Sequence, residues 1–375
     1  MPMQEVVFAE SRPYTLGVEL EFQIIDHQTL DLVPRAPALL SKVPPSVADR
    51  VTPEFIRSIL EVQTGVCASV SEVDTDLRRS ITLLEKIAAD HNCLLYSASL
   101  HPFAEPADQV LSVGDRYARI LEELQFVGRQ FISQGLHVHV GISDRDAAIA
   151  VCDVFQAYLP LLLGLSCSSP YFRGEDTGLC SYRTKLFEAL PLAGIAGFLG
   201  SWQAYIDEFD LLCRAGIIRE PKDLWWDIRP SPAFGTVEIR ICDIPLRFVE
   251  VLGLTSIIQA LAAAIVEGIV MPRPVSPQLL GANKWQAARH GLAGRFCDPL
   301  GLLPTATQPI GRAVHELLTL LQPFFDRFDS QGLGAIHALL TGEISAEKQR
   351  RMMKEHGSFS TMITTLQDIY WHDEI

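Results

Sequence analysis

Four short segments of this sequence carry two polar side chains two residues apart, with one apolar residue between them. The pairs are Glu19 and Glu21, Glu61 and Gln63, His137 and His139, and Glu238 and Arg240. Because side chains alternate between the two faces of a β-strand, each pair lies on one face and its apolar neighbours lie on the other. Side by side, the four strands would form a sheet with one apolar face and one face of carboxylates, imidazoles and a guanidinium. The pattern predicts a functional site on a sheet.

The acidic character of this face predicts bound cations. Neighbouring glutamates repel one another unless cations neutralise them, and carboxylates with one or two histidines suit Mg²⁺ or Mn²⁺ better than Zn²⁺. Glu54 lies seven residues before Glu61 and is either a further ligand or a surface acid. One of the two histidines is open to a structural, hydrogen-bonded role. Arg240 either pairs with Glu238 or binds a phosphate or carboxylate through two hydrogen bonds.

Composition excludes several classes of protein. The chain has 375 residues, of which 48% are hydrophobic, so it can bury a large core. Its net charge of −14 arises from 45 acidic and 31 basic residues, and no basic block is present to follow a phosphate backbone. Nucleic acid is therefore not expected as a partner.

A cytoplasmic location without membrane association is expected from three features. Residues 1–12 have neither the basic start nor the apolar run of a signal peptide. The apolar stretch 257–271 contains Gln259 and Glu267 and is too short to span a bilayer, so it predicts a buried helix. The 8 cysteines are scattered without a C-x-x-C spacing, as is typical of reduced thiols.

Periodicity and turn residues predict a mixture of strands and helices. Strands are predicted at 14–25, 59–66, 94–100, 135–142 and 235–242, and helices at 71–91, 114–133, 144–160 and 198–214. Ser71 and Asp74 predict the cap of the first long helix. Residues 168–194 predict a long functional loop. Beyond residue 245 the chain is predicted to be helical, with breaks at 272–277 and 299–309.

The sequence lacks the common phosphate-binding and nucleophile motifs. It has no G-x-x-x-x-G-K-[ST] loop and no G-x-S-x-G elbow. A nucleotide would therefore be held through metal ions and arginines, for which Arg183, Arg229 and Arg240 are the candidates. For each arginine alone, an ordinary salt bridge is the alternative.

Six motifs occur in an order that resembles one family. They are Thr-Leu-Gly-Val-Glu-Leu-Glu-Phe-Gln (15–23), Leu-Glu-Val-Gln-Thr (60–64), His-Pro-Phe (101–103), His-Val-His-Val-Gly (137–141), Ser-Tyr-Arg (181–183) and Trp-Asp-Ile-Arg-Pro-Ser-Pro-x-Phe-Gly-Thr-Val-Glu-Ile-Arg-Ile-Cys-Asp (226–243). The set resembles the YbdK-type carboxylate-amine ligases, the glutamate-cysteine ligase type 2 family. The resemblance implies an α+β fold like the catalytic domain of glutamine synthetase. A curved antiparallel sheet with helices packed on one face would form a single domain, 1–375, whose C-terminal part (about 246–375) is helical.

The resemblance also implies an activity and roles for particular residues. ATP would activate a carboxylate as an acyl phosphate, and an amine would attack it to form an amide, with glutamate and cysteine giving γ-glutamylcysteine. By correspondence of motifs, the metal positions are Glu19, Glu21, Glu54, Glu61, His139 and Glu238. Arg229 and Arg240 correspond to catalytic arginines near the phosphates, and Arg183 to one beside the substrate. ATP and Mg²⁺ (or Mn²⁺), amino-acid substrates and a homodimer are the implied cofactors and partners.

Two other functions fit the same acidic face. One is a metal-dependent amidase or hydrolase that uses metal-bound water, and the other is a non-catalytic nucleotide or amino-acid sensor. A hydrolase turns over without nucleotide, and a sensor releases no ADP. ADP release that depends on an amino acid therefore distinguishes the three functions.

Overall fold

The protein is described here by a computed structural model that covers residues 6–372. Residues 1–5 and 373–375 lie outside the described residues. The predicted domain, 1–375, therefore extends beyond the described residues at both ends. The segment 1–12, in which no signal peptide is expected, lies partly outside them as well.

An antiparallel sheet forms the centre of the fold. The strands are β1 (Leu16–Asp26), β2 (Val51–Pro53), β3 (Ile59–Gln63), β4 (Cys93–Tyr96), β5 (Leu136–Gly141), β6 (Tyr171–Phe172), β7 (Glu175–Asp176), β8 (Ile228–Ser231), β9 (Thr236–Cys242), β10 (Arg295–Cys297) and β11 (Thr307–Pro309). Among the described residues, the main sheet has seven strands in the order β2-β3-β1-β5-β9-β8, with β4 also paired to β1. The pairs β6–β7 and β10–β11 form two small separate hairpins.

Helices cover one face of this sheet and form most of the C-terminal part. They are α1 (Ala36–Leu40), α2 (Val70–Ala89), α3 (Asp115–Arg129), α4 (Arg145–Phe155), α5 (Leu159–Ser166), α6 (Arg183–Glu188), α7 (Trp202–Arg214), α8 (Phe248–Val266), α9 (Pro277–His290), α10 (Ile310–Phe328), α11 (Leu333–Thr341), α12 (Ser345–His356) and α13 (Phe359–Ile369). Helices α2, α4, α5 and α8 contact the strands β1, β5 and β9. These contacts bury the apolar residues of the predicted alternation, among them Val18, Leu20, Val138 and Ile239.

The five predicted strands are present, but six further short strands were not anticipated, namely β2, β6, β7, β8, β10 and β11. β2, β8, β10 and β11 have three or four residues each, and all but β10 contain a proline. Runs this short carry too few alternations to stand out in a sequence. The tract 168–194 is not one long loop, since it contains β6, β7 and α6.

The predicted helices differ from the structure at several boundaries, since α3 ends at Arg129 rather than residue 133 and α7 begins at Trp202 rather than residue 198. α2 begins at Val70 rather than at Ser71. Ser69 is its N-cap residue, and its hydroxyl oxygen accepts a hydrogen bond from the amide of Glu72 at 3.3 Å. The predicted cap by Ser71 and Asp74 is therefore wrong. The helix predicted at 144–160 is two helices, α4 and α5, bent by 63° at a break that precedes Pro160.

The apolar stretch near residue 257 lies in a buried helix, as expected. Among the described residues, a single unbent helix, α8, is long and apolar enough to cross a membrane. However, 89% of its most apolar window is buried inside the protein. It packs against α2, α4, α10, α11 and β5, and so serves as a core helix.

Candidate active site

The register of the main sheet brings the four predicted strands together. Glu19 of β1 lies opposite His137 of β5, and Glu21 lies opposite Glu61 of β3. On the other side, Glu238 of β9 lies opposite His139. The predicted polar face is therefore a continuous surface across β3, β1, β5 and β9.

A cavity of about 350 Å³ lies above this polar face. Its floor includes Glu19, Glu21, Glu61, His137 and Arg240, and Glu54, Arg183 and Arg229 line its sides. Helix α3 contributes to the opposite wall. A ligand in this cavity would contact the acids and the arginines together.

Glu19 is held between the two histidines. Its carboxylate oxygens lie 3.1 Å from Nδ1 of His137 and 3.3 Å from Nε2 of His139. Burial opposes ionisation of Glu19, but these hydrogen bonds outweigh burial and hold its pKa well below the usual range. Burial lowers the pKa of His137 to about 4, so this imidazole is neutral near pH 7 and has a lone pair to offer. Glu19 is thus a permanently charged ligand candidate.

Three further carboxyls resist ionisation. Burial, reinforced by the charge of Glu61, raises the pKa of Glu21 to about 7. Burial and the charge of Glu21 raise the pKa of Glu54 to about 8. The pKa of Glu61 is also raised, first by burial and then by Glu19 and Glu54. Burial and the neighbouring charges therefore favour the protonated forms of these three carboxyls.

These shifts predict a pH dependence of stability in the absence of metal ions. Between the usual glutamate pKa of 4.5 and the raised values, folded Glu21 and Glu54 bind protons that the unfolded chain has released, so stability falls as pH rises. His137 acts in the opposite direction, but only between its lowered pKa of about 4 and its usual 6.5. We expect the melting temperature in chelator to fall as pH rises from 6.5 to about 8.

The variant Glu54→Gln provides the control for this pH effect. It removes the carboxyl with the pKa of about 8 and should make the decline in melting temperature shallower. Excess Mg²⁺ should do the same in the wild-type protein, because a cation favours the ionised acids. A melting temperature that rises with pH over this interval in chelator would contradict the assignment.

Glu238 is enclosed by two arginines. Arg229 donates from Nε to one carboxylate oxygen at 2.7 Å and from Nη2 to the other at 3.2 Å. Nη1 of Arg240 donates to the second oxygen as well. Although burial opposes it, the two guanidinium charges hold the pKa of Glu238 well below its usual range.

The two arginines differ in how many of their guanidinium N–H groups already donate to other protein atoms. Nη1 of Arg229 also donates to the carbonyls of Lys222 and Leu224, both at 2.9 Å, so Arg229 is largely committed to the protein. Nε of Arg240 is buried and has no hydrogen-bond partner among the described residues. Arg240 lines the cavity and, among the described residues, its guanidinium donates only to Glu238, so Arg240 is the better candidate to bind an incoming anion and Arg229 positions Glu238.

Arg183 lies at the edge of the same cavity and is only 4% exposed. Its Nη2 and Nη1 donate to the carbonyls of Arg240 and Ile241, both at 3.2 Å. Asp243 lies 3.9 Å away and also accepts hydrogen bonds from the Ser169 and Ser181 hydroxyls. Nε of Arg183 is buried without a partner in the described part of the chain. The predicted irregular tract thus delivers an anchored guanidinium to the cavity.

Two groups of side chains are close enough to hold a divalent cation. One contains Glu19, His137 and Glu238, and the other contains Glu21, Glu61 and His137, with ligand atoms within 4.8 Å of one another in each. Both are carboxylate-rich with one imidazole, which fits Mg²⁺ or Mn²⁺.

The geometry differs from the sequence expectation at two of the predicted metal ligands. His139 belongs to neither group, because its Nδ1 lies 2.8 Å from Thr236 Oγ1 and its Nε2 faces Glu19. His137, which the motif comparison did not favour, belongs to both. Glu54 also lies outside both groups, although it lines the cavity and its pKa responds to Glu21.

Several residues of the site were not singled out from the sequence. Arg116 and Tyr117 of α3 line the cavity, and Thr52 donates to Glu61 at 3.0 Å. Lys284 of α9 reaches Asp227 at 2.5 Å, which braces the segment before Arg229 from the C-terminal part. Of these residues, only Asp227 could have been identified from the sequence, because it lies within the longest motif.

Comparisons with known proteins agree with the motifs. The model of glutamate-cysteine ligase family 2 matches residues 15–308. The chain is 37% identical over 368 residues to a protein of Gloeobacter violaceus named "Putative glutamate--cysteine ligase 2", covering 96% of this chain and 98% of that protein. A protein of the same name from Thermobifida fusca is 36% identical over 373 residues, covering 96% and 92%.

Two solved structures share the fold at low sequence identity. A glutamate-cysteine ligase of Francisella tularensis, solved in complex with AMP, has a TM-score of 0.69 and 13% identity, and the match covers 96% of this chain and 89% of that one. A bifunctional glutathione synthetase of Pasteurella multocida has a TM-score of 0.70 and 14% identity, covering 96% and 52%. The predicted α+β class with an antiparallel sheet is confirmed. On the family match and the relatives together, the chain belongs to glutamate-cysteine ligase family 2.

Proposed function

We propose that the protein is an ATP-dependent carboxylate-amine ligase that forms an amide through an acyl phosphate. Family membership supports the reaction class, and the observation that carries the mechanism is the acidic face beneath the cavity. Three of its carboxyls have raised pKa values, and an unpartnered guanidinium nitrogen of Arg240 lies beside them. Such a face suits divalent cations and the phosphates that accompany them.

In the first step, an oxygen of the substrate carboxylate attacks the γ-phosphorus of ATP, and the bond to the β-phosphate oxygen breaks to release ADP. Arg240 would bind a phosphoryl oxygen on which negative charge develops. Glu19, Glu21, Glu61, His137 and Glu238 would hold the cations, which neutralise phosphate charge when bound.

In the second step, the nitrogen of an unprotonated amine attacks the acyl carbon. The new C–N bond forms as the C–O bond to phosphate breaks, and inorganic phosphate leaves with the electron pair. The nitrogen then loses its remaining excess proton. This reaction needs positioning and charge neutralisation rather than a side-chain nucleophile, in agreement with the lack of a nucleophile motif.

Glutamate and cysteine are the proposed substrates, and γ-glutamylcysteine is the proposed product. The names of the relatives support this pair. A homodimer and a cytoplasmic location stay predictions, to be tested by analytical ultracentrifugation and by cell fractionation.

ADP release tests the function directly. Purified protein with Mg²⁺ and ATP should release ADP only when a carboxylate and an amine are both present, and mass spectrometry should detect the amide. Product formation without nucleotide would instead indicate the hydrolase. Nucleotide binding without ADP release for any substrate pair would indicate the sensor.

Binding of Mg²⁺ and nucleotide should raise the melting temperature. A ligand that binds only the folded state at about 100 times its dissociation constant stabilises by roughly 2.7 kcal/mol. Cations bind the ionised forms of Glu21, Glu54 and Glu61, whose pKa values are raised, so the stabilisation by Mg²⁺ should grow as pH rises. Differential scanning fluorimetry with Mg²⁺ and a non-hydrolysable ATP analogue measures the shift. If neither Mg²⁺ nor the ATP analogue changes the melting temperature, these acids do not share one cation site.

A further inference from the structure

One end of the cavity is lined by five apolar side chains that we call the apolar compartment. They are Ile120, Leu124, Phe131, Phe187 and Leu190. Within the part of the chain that is described, none of the five belongs to the three hydrophobic clusters of the core or packs against them. Ile120, Leu124, Phe131 and Phe187 are only partly buried, whereas Leu190 is buried, so the first four have apolar surface that a ligand in the cavity can contact.

The compartment adjoins the reacting groups. The rings of Phe131 and Phe187 lie 5.6 Å apart between their centroids. The guanidinium carbon of Arg183 lies 5.6 Å from the centre of the Phe187 ring. Glu21 and His137 line the same cavity. A molecule with one end at the acidic face can therefore place its other end in the compartment.

Helix α3 turns its apolar side chains towards this space rather than towards the core. Ile120 and Leu124 are four residues apart, so they lie on one face of the helix. Of the residues of α3, only Gly128 is buried. Phe126 points away from this face and is 66% exposed. The face with Ile120 and Leu124 thus covers the cavity.

The chemistry of the reaction selects which substrate this compartment suits. The acyl phosphate is anionic and belongs beside the arginines and the cations. The amine nitrogen attacks the acyl carbon beside that face, so the side chain of the amine substrate can extend into the compartment. An apolar wall is therefore better matched to the amine substrate than to the acyl phosphate.

We propose that the amine substrate carries an apolar side chain, which binds in the apolar compartment between α3 and the Phe131–Phe187 pair. This inference rests on the proposed ligase function and specifies the substrate class of the same site. Cysteine behaves as a small hydrophobe and is a small member of this class. Leucine and phenylalanine are larger members that fill the compartment further.

The first test is a panel of amines assayed with glutamate, Mg²⁺ and ATP. We expect kcat/KM for leucine and phenylalanine to exceed that for glycine and serine by at least about tenfold, since even one methylene in an apolar pocket changes specificity by roughly 10 to 200-fold. If glycine or serine is the best amine, the inference is overturned.

The second test removes part of the compartment. Phe131→Ala should reduce the preference for phenylalanine over glycine by roughly tenfold or more and leave the KM for ATP unchanged. Leu124→Ala should act in the same direction and serves if Phe131→Ala does not fold. Phe126→Ala, which deletes an exposed ring from the same helix, is the matched control and should change neither value. A raised KM for ATP with an unchanged amine preference would show that the compartment holds the adenine ring instead.

Calorimetry separates this inference from the proposed function. We expect phenylalanine to bind more tightly than glycine in the presence of Mg²⁺ and ADP, and Phe131→Ala to remove the difference. If no amine supports ADP release but this binding difference is present, the ligase function fails and the compartment assignment stands. If ADP release occurs but phenylalanine binds no more tightly than glycine to any form, the compartment assignment fails alone.

Discussion

Glu19→Gln is expected to abolish amino-acid-dependent ADP release while the protein keeps its fold. The substitution removes a charge that faces the candidate cation site but preserves the shape of the side chain and an acceptor for one of the two histidines. Opposite unit charges about 4 Å apart near a protein surface interact by roughly 4 kcal/mol. Loss of that interaction in the transition state corresponds to about a thousandfold in rate.

The measurement is kcat/KM from ADP release at saturating Mg²⁺, together with the melting temperature. Glu267→Gln is the matched control, because it removes the same charge from an exposed pair with Arg327 and should cost less than about 1 kcal/mol. Near wild-type turnover of Glu19→Gln would refute its role as a ligand. Glu238→Gln is a less clean test, since it leaves two buried arginines without a full counter-charge and is expected to destabilise the fold.

Arg240→Lys is expected to lower kcat/KM for ATP by more than roughly a hundredfold, about 2.7 kcal/mol of transition-state stabilisation. The guanidinium holds Glu238 through Nη1 while its buried Nε remains without a partner among residues 6–372. A lysine ammonium can keep the pairing with Glu238, but it cannot also present a second, rigidly oriented donor to a phosphoryl oxygen.

Arg327→Lys is the control for the same chemical change at an exposed ion pair, where kcat/KM should stay within a few fold. A loss of only a few fold in Arg240→Lys would return Arg240 to a structural role as the partner of Glu238. Arg183, whose Nε is also unpartnered, would then be the next candidate for the phosphate contact.

The polar face of the site was predictable because it depends on a local rule. Alternation along a strand fixes which residues share a face, and the apolar neighbours of Glu19, Glu61, His137 and Glu238 are buried as that rule requires. Adjacent strands then need only pair in the right order, which the register confirms.

The remaining features depend on contacts between distant parts of the chain. Both histidines share one strand face, so the local sequence does not distinguish them. In the structure, His137 lies within reach of Glu19 and Glu61, whereas Nδ1 of His139 forms a hydrogen bond with Thr236. Arg229 was expected near phosphates, but its guanidinium donates hydrogen bonds to the carbonyls of Lys222 and Leu224. The position of α3 over the cavity is likewise a tertiary arrangement. Its periodicity reveals a helix but not the surface that the helix covers.

The order of the elements along the chain has a consequence for biosynthesis. Every strand of the main sheet ends by Cys242, whereas α8, which packs beneath that sheet, begins at Phe248. The earlier helices α2, α4 and α5 can cover part of the sheet, but the apolar surface of β5 that α8 covers stays exposed in a growing polypeptide until α8 has left the ribosome. Uncovered apolar surface and unpaired strands make nascent chains prone to aggregation. Ribosome-bound chains that stop before α8 are thus expected to depend on chaperones, and release from them should coincide with the emergence of Val266.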